Sequence, residues 1–148
     1  MVTPGVHVMV SSISDVEVYV RALGLPYRRV HGNIVVEYKD RRGETIGLAI
    51  IYDRDTGMLR VTAPLDVEPT REGLRILLEE NFTSMTYKYA LDYEGFITVV
   101  YDLPGEYVDN ARRLKEAILY VIDGVRRILE RTRVEKEAET ETMEEGGG

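Results

Sequence analysis

The chain contains no cysteine, no tryptophan and no glutamine, and asparagine occupies only three of its 148 positions. The absence of cysteine excludes a disulfide framework, a zinc site built on thiolates and a cysteine nucleophile. Few thermolabile residues together with 30% charged residues are typical of proteins from hyperthermophiles. We therefore predict a thermophile-like chain without thiol chemistry.

Long apolar runs are missing as well. No stretch approaches the roughly 20 apolar residues that a membrane span needs. The first twelve residues, MVTPGVHVMVSS, have neither a basic segment nor a long apolar run, so no signal peptide is expected. These absences predict a cytoplasmic protein with no membrane partner.

Charge is concentrated at one end of the chain. The formal net charge is -7, and residues 134–148, VEKEAETETMEEGGG, contribute -5 of it through six Glu and one Lys. Such a block cannot bury apolar surface, so we predict an acidic disordered tail at 134–148 and a single domain at 1–133. The near-neutral body does not favour nucleic-acid binding, which usually requires clustered basic residues.

Helical periodicity is present near both ends of the predicted domain. Ser14-Asp15-Val16-Glu17 has the spacing of a capping box, and apolar residues then recur at helical intervals as far as Leu23. Val16, Val18 and Val20 also alternate as in a strand, but the cap favours a helix. A long apolar stripe predicts a final helix over roughly 106–133, after Pro104-Gly105.

Between these helices the pattern is mostly that of strands. Runs rich in Val, Ile and Tyr predict strands at Asn33–Lys39, Glu44–Tyr52, Met58–Ala63, Ser84–Tyr93 and Phe96–Tyr101. Pro69-Thr70 opens a further helix between the third and fourth strands, with Leu74, Leu77 and Leu78 expected to face inward. The predicted fold class is α+β, in the order α-β-β-β-α-β-β-α, with an antiparallel sheet packed against the long C-terminal helix.

Glycines in the turns predict how the strands pair. A type I turn followed by a glycine bulge requires a positive φ only at the glycine. With Gly95 in that position, Leu91 opposes Ile97, Tyr89 opposes Val99 and Tyr87 opposes Tyr101.

The same argument at Gly43 and Gly57 predicts a meander that is apolar on both faces. One face holds Ile34, Val36, Tyr38, Ile46, Leu48 and Ile50, and the other holds Val35, Ala49, Ile51, Leu59, Val61 and Ala63. Either the helices cover both faces, or one face is left for a partner. The sequence therefore predicts the first six residues as a partner-binding surface.

The order of elements resembles the type III secretion chaperone-like fold. The segment YKYALDYEGFITVVYDLPG at 87–105 is similar to the hairpin, Asp-Leu-Pro and amphipathic-helix stretch of YbjN-like proteins, and the resemblance spans roughly residues 12–133. It implies small acidic proteins that dimerise and hold client polypeptides, without a cofactor or catalytic residues.

Motifs that could carry chemistry are weak. The two histidines, His7 and His31, lack metal-ligand spacing, and Asp53 with Asp55 lacks the later ligands of a calcium loop. Other carboxylates lie at turn and cap positions, where they are common: Asp92, Glu94, Asp102 and Glu106. The sequence predicts no catalytic residue, no metal site and no cofactor.

We therefore expect a non-catalytic protein-binding domain, a homodimeric chaperone-like or adaptor protein that binds a client polypeptide or a second copy of itself. One alternative is a small-ligand sensor or enzyme that uses the Tyr-rich hairpin as a pocket. Another is a subunit of a larger complex that makes contact through the acidic tail.

Overall fold

The computed structural model of the chain describes residues 8–146, with side chains up to residue 132. The helices are α1 (Ile13–Ala22), α2 (Arg71–Thr83) and α3 (Ala111–Gly146), and a 3-10 turn at Gly105–Tyr107 precedes α3. The strands are β1 (Tyr27–Val30), β2 (Asn33–Lys39), β3 (Thr45–Asp53), β4 (Met58–Pro64), β5 (Lys88–Leu91) and β6 (Ile97–Pro104). The predicted α+β fold class is confirmed, with β1 as an additional strand.

Several predicted ends differ from the structure, among them the start of β5, which lies at Lys88 and not at Ser84. The first helix is capped by Ser12, whose Oγ accepts a hydrogen bond from the backbone N–H of Asp15 at 3.2 Å. The cap therefore lies two residues before the predicted Ser14. The α3 backbone continues beyond the predicted end at residue 133. The side chains of the tail at 134–148 lie outside the described residues, and so does His7.

The six strands form one antiparallel sheet in the order β1-β2-β3-β4-β6-β5. The predicted register of β2 with β3 is confirmed, since Val36 pairs with Leu48. The predicted register of β5 with β6 is confirmed at Tyr89 and Val99. Gly95 has φ +87°, as the bulge turn requires.

The predicted pairing of β3 with β4 is wrong by one residue. The connection spans Arg54–Gly57, and Asp53 pairs directly with Met58, so that Ile50 lies opposite Val61. A one-residue slip moves every side chain of a strand to the opposite face. Leu59, Val61 and Ala63 therefore share the face of Ile50, and the meander is not equally apolar on both faces.

All three helices cover that single face. Buried residues of α1, α2 and α3 belong to one core cluster with the inward residues of the sheet. Of the six residues predicted to bind a partner, Ile34, Val36, Leu48 and Ile50 are at most 1% exposed, and Tyr38 and Ile46 are partly buried against the same core. This corrects their predicted role, because these residues form the core and do not present a free patch.

Candidate protein-binding surfaces

Helix α2 carries apolar residues on two sides. Ile76 and Leu77 are buried, whereas the predicted inward residues Leu74 and Leu78 are 40% and 70% exposed. Phe82 and Met85 are 91% and 92% exposed. We call Leu74, Leu78, Phe82 and Met85 the α2 stripe. Its first three residues are four apart, so they lie along one side of the helix.

A buried ion pair fixes which side of α2 faces outward. Glu80 is 2% exposed, and its carboxylate accepts hydrogen bonds from Arg127 at 3.0 and 3.1 Å and from Arg131 at 2.8 Å. The Arg127 guanidinium holds the pKa of the Glu80 carboxyl below its ordinary value, although burial alone would raise it. Because Glu80 is held against α3, the α2 stripe on the opposite side points away from the core.

The outer edge of β5 is closed by a side chain. The Asn81 carboxamide accepts from the N–H of Tyr89 at 2.7 Å and donates to the C=O of Tyr89 at 3.0 Å. The Tyr89 hydroxyl donates to the Gly124 carbonyl at 2.6 Å and is held inside the fold. Asn81 therefore takes the place that another strand would occupy beside β5.

Beyond β5, the end of β6 has a strand on one side only. The pairing of β5 with β6 runs from Leu91–Ile97 to Lys88–Val100, and the predicted pair of Tyr87 with Tyr101 does not form. Just before Lys88, the Tyr87 carbonyl accepts a hydrogen bond from the Ser84 hydroxyl at 2.6 Å. Within the described residues, Tyr101–Pro104 pairs with β4 alone.

An aromatic cavity of about 280 Å³ adjoins this open stretch. The rings of Tyr101 and Tyr120 meet edge to face, with centroids 5.1 Å apart and an angle of 65° between their planes. Burial raises the pKa of the Tyr101 hydroxyl above its ordinary value. We call this cavity the aromatic socket. Its lining comes from β6, the 3-10 turn and α3: Tyr101, Leu103, Tyr107, Arg113, Glu116, Ala117 and Tyr120.

Most of the motifs considered for chemistry lie in or beside turns, and Asp102 lies on β6. His31 is exposed at φ +49° between β1 and β2. The Asp53 carboxylate accepts from the Asp55 N–H and the Thr56 hydroxyl within its own turn. Asp102 forms a bidentate pair with Arg60 at 2.7 and 2.8 Å. Among the described residues, no group of three or more His, Cys, Asp or Glu side chains could hold a metal ion.

The Tyr-rich hairpin does not form one pocket. Tyr87 and Tyr89 pack together with centroids 5.6 Å apart, and Gly124 of α3 lies against them. Tyr93 is fully exposed in the β5–β6 turn, and only Tyr101 reaches the socket. Sequence reasoning missed Phe82, Met85, Tyr107 and Tyr120. For Phe82, the signal present was its spacing of four residues from Leu78.

A wide groove of about 930 Å³ separates the β2–β3 turn from α3. Basic residues on it include Arg41, Arg42 and Lys115, but Asp40, Glu44, Asp123 and Glu130 line it too. The Asp40 carboxylate already lies 3.7 Å from the Arg126 guanidinium. This mixture of charges does not define a site for one class of ligand.

None of the helices within the described part of the chain is both long enough and apolar enough to cross a bilayer.

The fold defines an α+β domain with helices on one face of an antiparallel sheet. A chain of the HopA1–SchA chaperone–effector complex shares this fold, with a TM-score of 0.54 and 18% sequence identity over 73% of this chain and 84% of that one. The chaperone-like fold expected from the sequence is therefore confirmed. No protein-family model and no curated protein sequence matches the chain, and the YbjN-like part of the resemblance stays a prediction.

Proposed function

We propose that this chain is a non-catalytic, chaperone-like protein that forms a homodimer through the α2 stripe and holds a client polypeptide. The α2 stripe is the observation that carries the proposal. It exposes apolar area on the order of 500 Å², near the upper end for a monomer. Phe82 and Met85 are the most exposed residues of the α2 stripe, since each is more than nine-tenths exposed. The fold likeness to a chain of a chaperone–effector complex supports the choice of a protein partner.

The spacing of the stripe fits a two-fold interface. Leu74 and Phe82 each lie four residues from Leu78. A two-fold axis at Leu78 therefore places two α2 helices antiparallel, with Leu74 of one copy against Phe82 of the other. Such an interface needs about 800 Å² per partner, and the polar residues beside the stripe supply the rim.

The charge of Arg75, beside the stripe, is already paired within one copy. Arg75 pairs with Glu72 and with Glu79 on the same helix. A second copy therefore meets no unpaired Arg75 guanidinium when it packs on α2. Because a buried unpaired charge is costly, this arrangement favours an apolar contact at this helix.

Sedimentation equilibrium tests the dimer. Wild-type protein is expected to sediment as a dimer, and the Leu78→Glu plus Phe82→Glu variant as a folded monomer with an unchanged circular dichroism spectrum. Leu129→Glu is the matched control, because Leu129 lies on α3 and is 57% exposed. A wild type that stays monomeric at high concentration contradicts the dimer.

Purification from native extract, followed by mass spectrometry, tests the client. A polypeptide that is retained at a fixed ratio to the chain supports the holding role. A small molecule that copurifies at a fixed ratio, without a polypeptide, would instead support the ligand-sensor alternative.

A further inference from the structure

From the aromatic socket and the carboxylate at its wall, we infer a binding site for a small organic cation whose nitrogen is fully alkylated, a free quaternary ammonium compound. The site is built by β6, the 3-10 turn and α3. The inference goes beyond the proposed function and does not depend on it, because the α2 stripe shares no residue with the socket.

Three tyrosine rings line the socket. A cation is attracted to the face of an aromatic ring when it lies within about 6 Å of the ring centroid. The centroids of Tyr101 and Tyr120 are 5.1 Å apart, so one cation in the cavity can lie within that distance of both. Because these rings meet edge to face, the ring that supplies its edge keeps its own faces free of the other. Tyr107, the third ring, is 60% exposed and has free surface for a ligand.

Glu116 supplies the negative charge at the wall of the socket. It lies on α3 four residues before Tyr120, so the two side chains are on the same side of the helix. Burial and the nearness of Tyr120 and Glu116 raise the pKa of the Tyr101 hydroxyl, which places the carboxylate close to that ring. The guanidinium of its partner Arg112 lies 3.5 Å away on a side chain that is 85% exposed. An exposed pair of this kind is weak, so the Glu116 carboxylate can turn toward a bound cation.

Arg113 is the basic residue of the lining, and its charge is already paired. Its guanidinium lies 3.3 Å from the Asp109 carboxylate. An anion that entered the socket would meet the Glu116 carboxylate and the faces of tyrosine rings, which carry partial negative charge. The socket therefore favours a cation over an anion despite the presence of Arg113.

The lining also selects among cations. A primary ammonium is compact and strongly hydrated, and its three N–H donors each need an acceptor. A quaternary ammonium has no N–H, and its methyl groups present apolar surface to the rings. The cavity of about 280 Å³ lies just below the usual range of ligand pockets, about 300–1,000 Å³. The site therefore suits a compact free molecule.

Choline is the probe, and the amide chemical shifts of the isotope-labelled full chain measure its binding by NMR. Wild type is expected to bind choline with a Kd of about 1–10 mM, with shifts at the amides of Tyr107 and Glu116. Two comparison ligands separate charge from shape. The uncharged analogue with carbon in place of the nitrogen keeps the shape, and ethanolamine keeps the charge without the methyl groups. Each is expected to bind at least about fivefold more weakly than choline.

Substitutions test the rings and the charges separately. Tyr107→Leu keeps apolar area but removes an aromatic face, so it should weaken choline about fivefold and leave the uncharged analogue unchanged. Tyr93→Leu is the matched control, because Tyr93 is fully exposed in the β5–β6 turn, outside the socket. Glu116→Gln should weaken choline about threefold, and Arg113→Gln should strengthen it by a similar factor. Residues that only support the fold would not change affinity in opposite directions.

The site is overturned by equal affinity for choline and its uncharged analogue, by no shifts up to about 50 mM choline, or by an equal loss in Tyr93→Leu. A trimethyllysine peptide that bound about tenfold more tightly than choline would also overturn the free ligand, since it would assign the socket to a polypeptide. Dimer formation and client retention are measured separately. Failure to bind choline therefore leaves the proposed function standing, and a monomer without a client leaves choline binding unchanged.

Discussion

Replacing Glu80 with Gln tests whether the buried ion pair holds α2 in position. The substitution keeps the shape of the side chain but removes the charge that Arg127 and Arg131 approach. Breaking a fully buried pair typically costs about 3–5 kcal/mol. Here the Arg127 side chain is 53% exposed and can be rehydrated, so the loss is closer to that of charged hydrogen bonds, about 2 kcal/mol. For a chain of this size this lowers Tm by roughly 6–8 °C.

The effect should depend on pH with a defined sign. The pKa of the Glu80 carboxyl in the folded protein is lowered from an unfolded value of about 4.3. The pair therefore stabilises the fold above about pH 4.3, and this contribution is lost as the pH falls through the folded pKa. The difference between wild type and Glu80→Gln should shrink toward zero in acid.

Urea unfolding monitored by far-ultraviolet circular dichroism, at a series of pH values from about 7 down to about 2, measures this difference. Glu79→Gln is the control, because the Glu79 side chain is 43% exposed and its loss should cost less than about 1 kcal/mol. Equal small losses in the two variants, or a Glu80→Gln loss that persists at low pH, would refute the role given to the buried pair.

Two further outcomes follow from the packing, and a third follows from the charge of the tail. Gly124→Ala should destabilise the protein by about 1–3 kcal/mol despite the better helix propensity of alanine, because the added Cβ would lie 2.5 Å from Val99 Cγ1; a raised Tm would contradict this. Val36→Glu with Leu48→Glu should abolish cooperative unfolding, since both residues are core; a folded monomer by circular dichroism would mean that the sheet tolerates charge there. Truncation after Arg133 should leave Tm nearly unchanged, and a loss of several degrees in calorimetry would show that the tail packs on the body.

Turn chemistry predicted two of the three tested registers. Gly43 and Gly95 each have a positive φ in the structure, and each closes the predicted hairpin. Gly57 also has a positive φ, yet the register after it is shifted by one residue. A positive φ at Gly57 fits the predicted register of β3 with β4 and also the observed one. The local sequence therefore cannot choose between the two registers. The long pairing of β4 with β6, from Met58–Pro104 to Pro64–Thr98, involves residues about forty positions apart.

The orientation of α2 could not be predicted from its own sequence. Leu74, Leu77 and Leu78 span a wide arc of the helix, and leucine spacing alone does not say which part is buried. The deciding contacts come from Glu80 to arginines 47 and 51 residues later. A glutamate among leucines is normally taken as a solvent-facing residue, and here it is the buried one.

The aromatic socket depends on distant parts of the chain in the same way. Its three tyrosines come from a strand, a 3-10 turn and a helix: Tyr101, Tyr107 and Tyr120. They meet only because α3 is oriented about its own axis so that Tyr120 faces β6. The predicted Tyr87–Tyr101 pair is absent, and the Tyr87 carbonyl there accepts a hydrogen bond from the Ser84 hydroxyl. The alternation of residues in the hairpin predicts the pairing but not the point at which it stops.

The position of Asn81 has a consequence for chemical durability. Asparagine deamidates when the next backbone nitrogen attacks the side-chain carbonyl, and Asn81 lies inside α2, where that nitrogen is fixed in the helix. Deamidation would give a carboxylate, which has no N–H to donate to the Tyr89 carbonyl and would repel it. The chain has three asparagines and no glutamine, and the helix disfavours deamidation at this one. Loss of the Asn81 amide would leave the β5 edge open to association with other molecules.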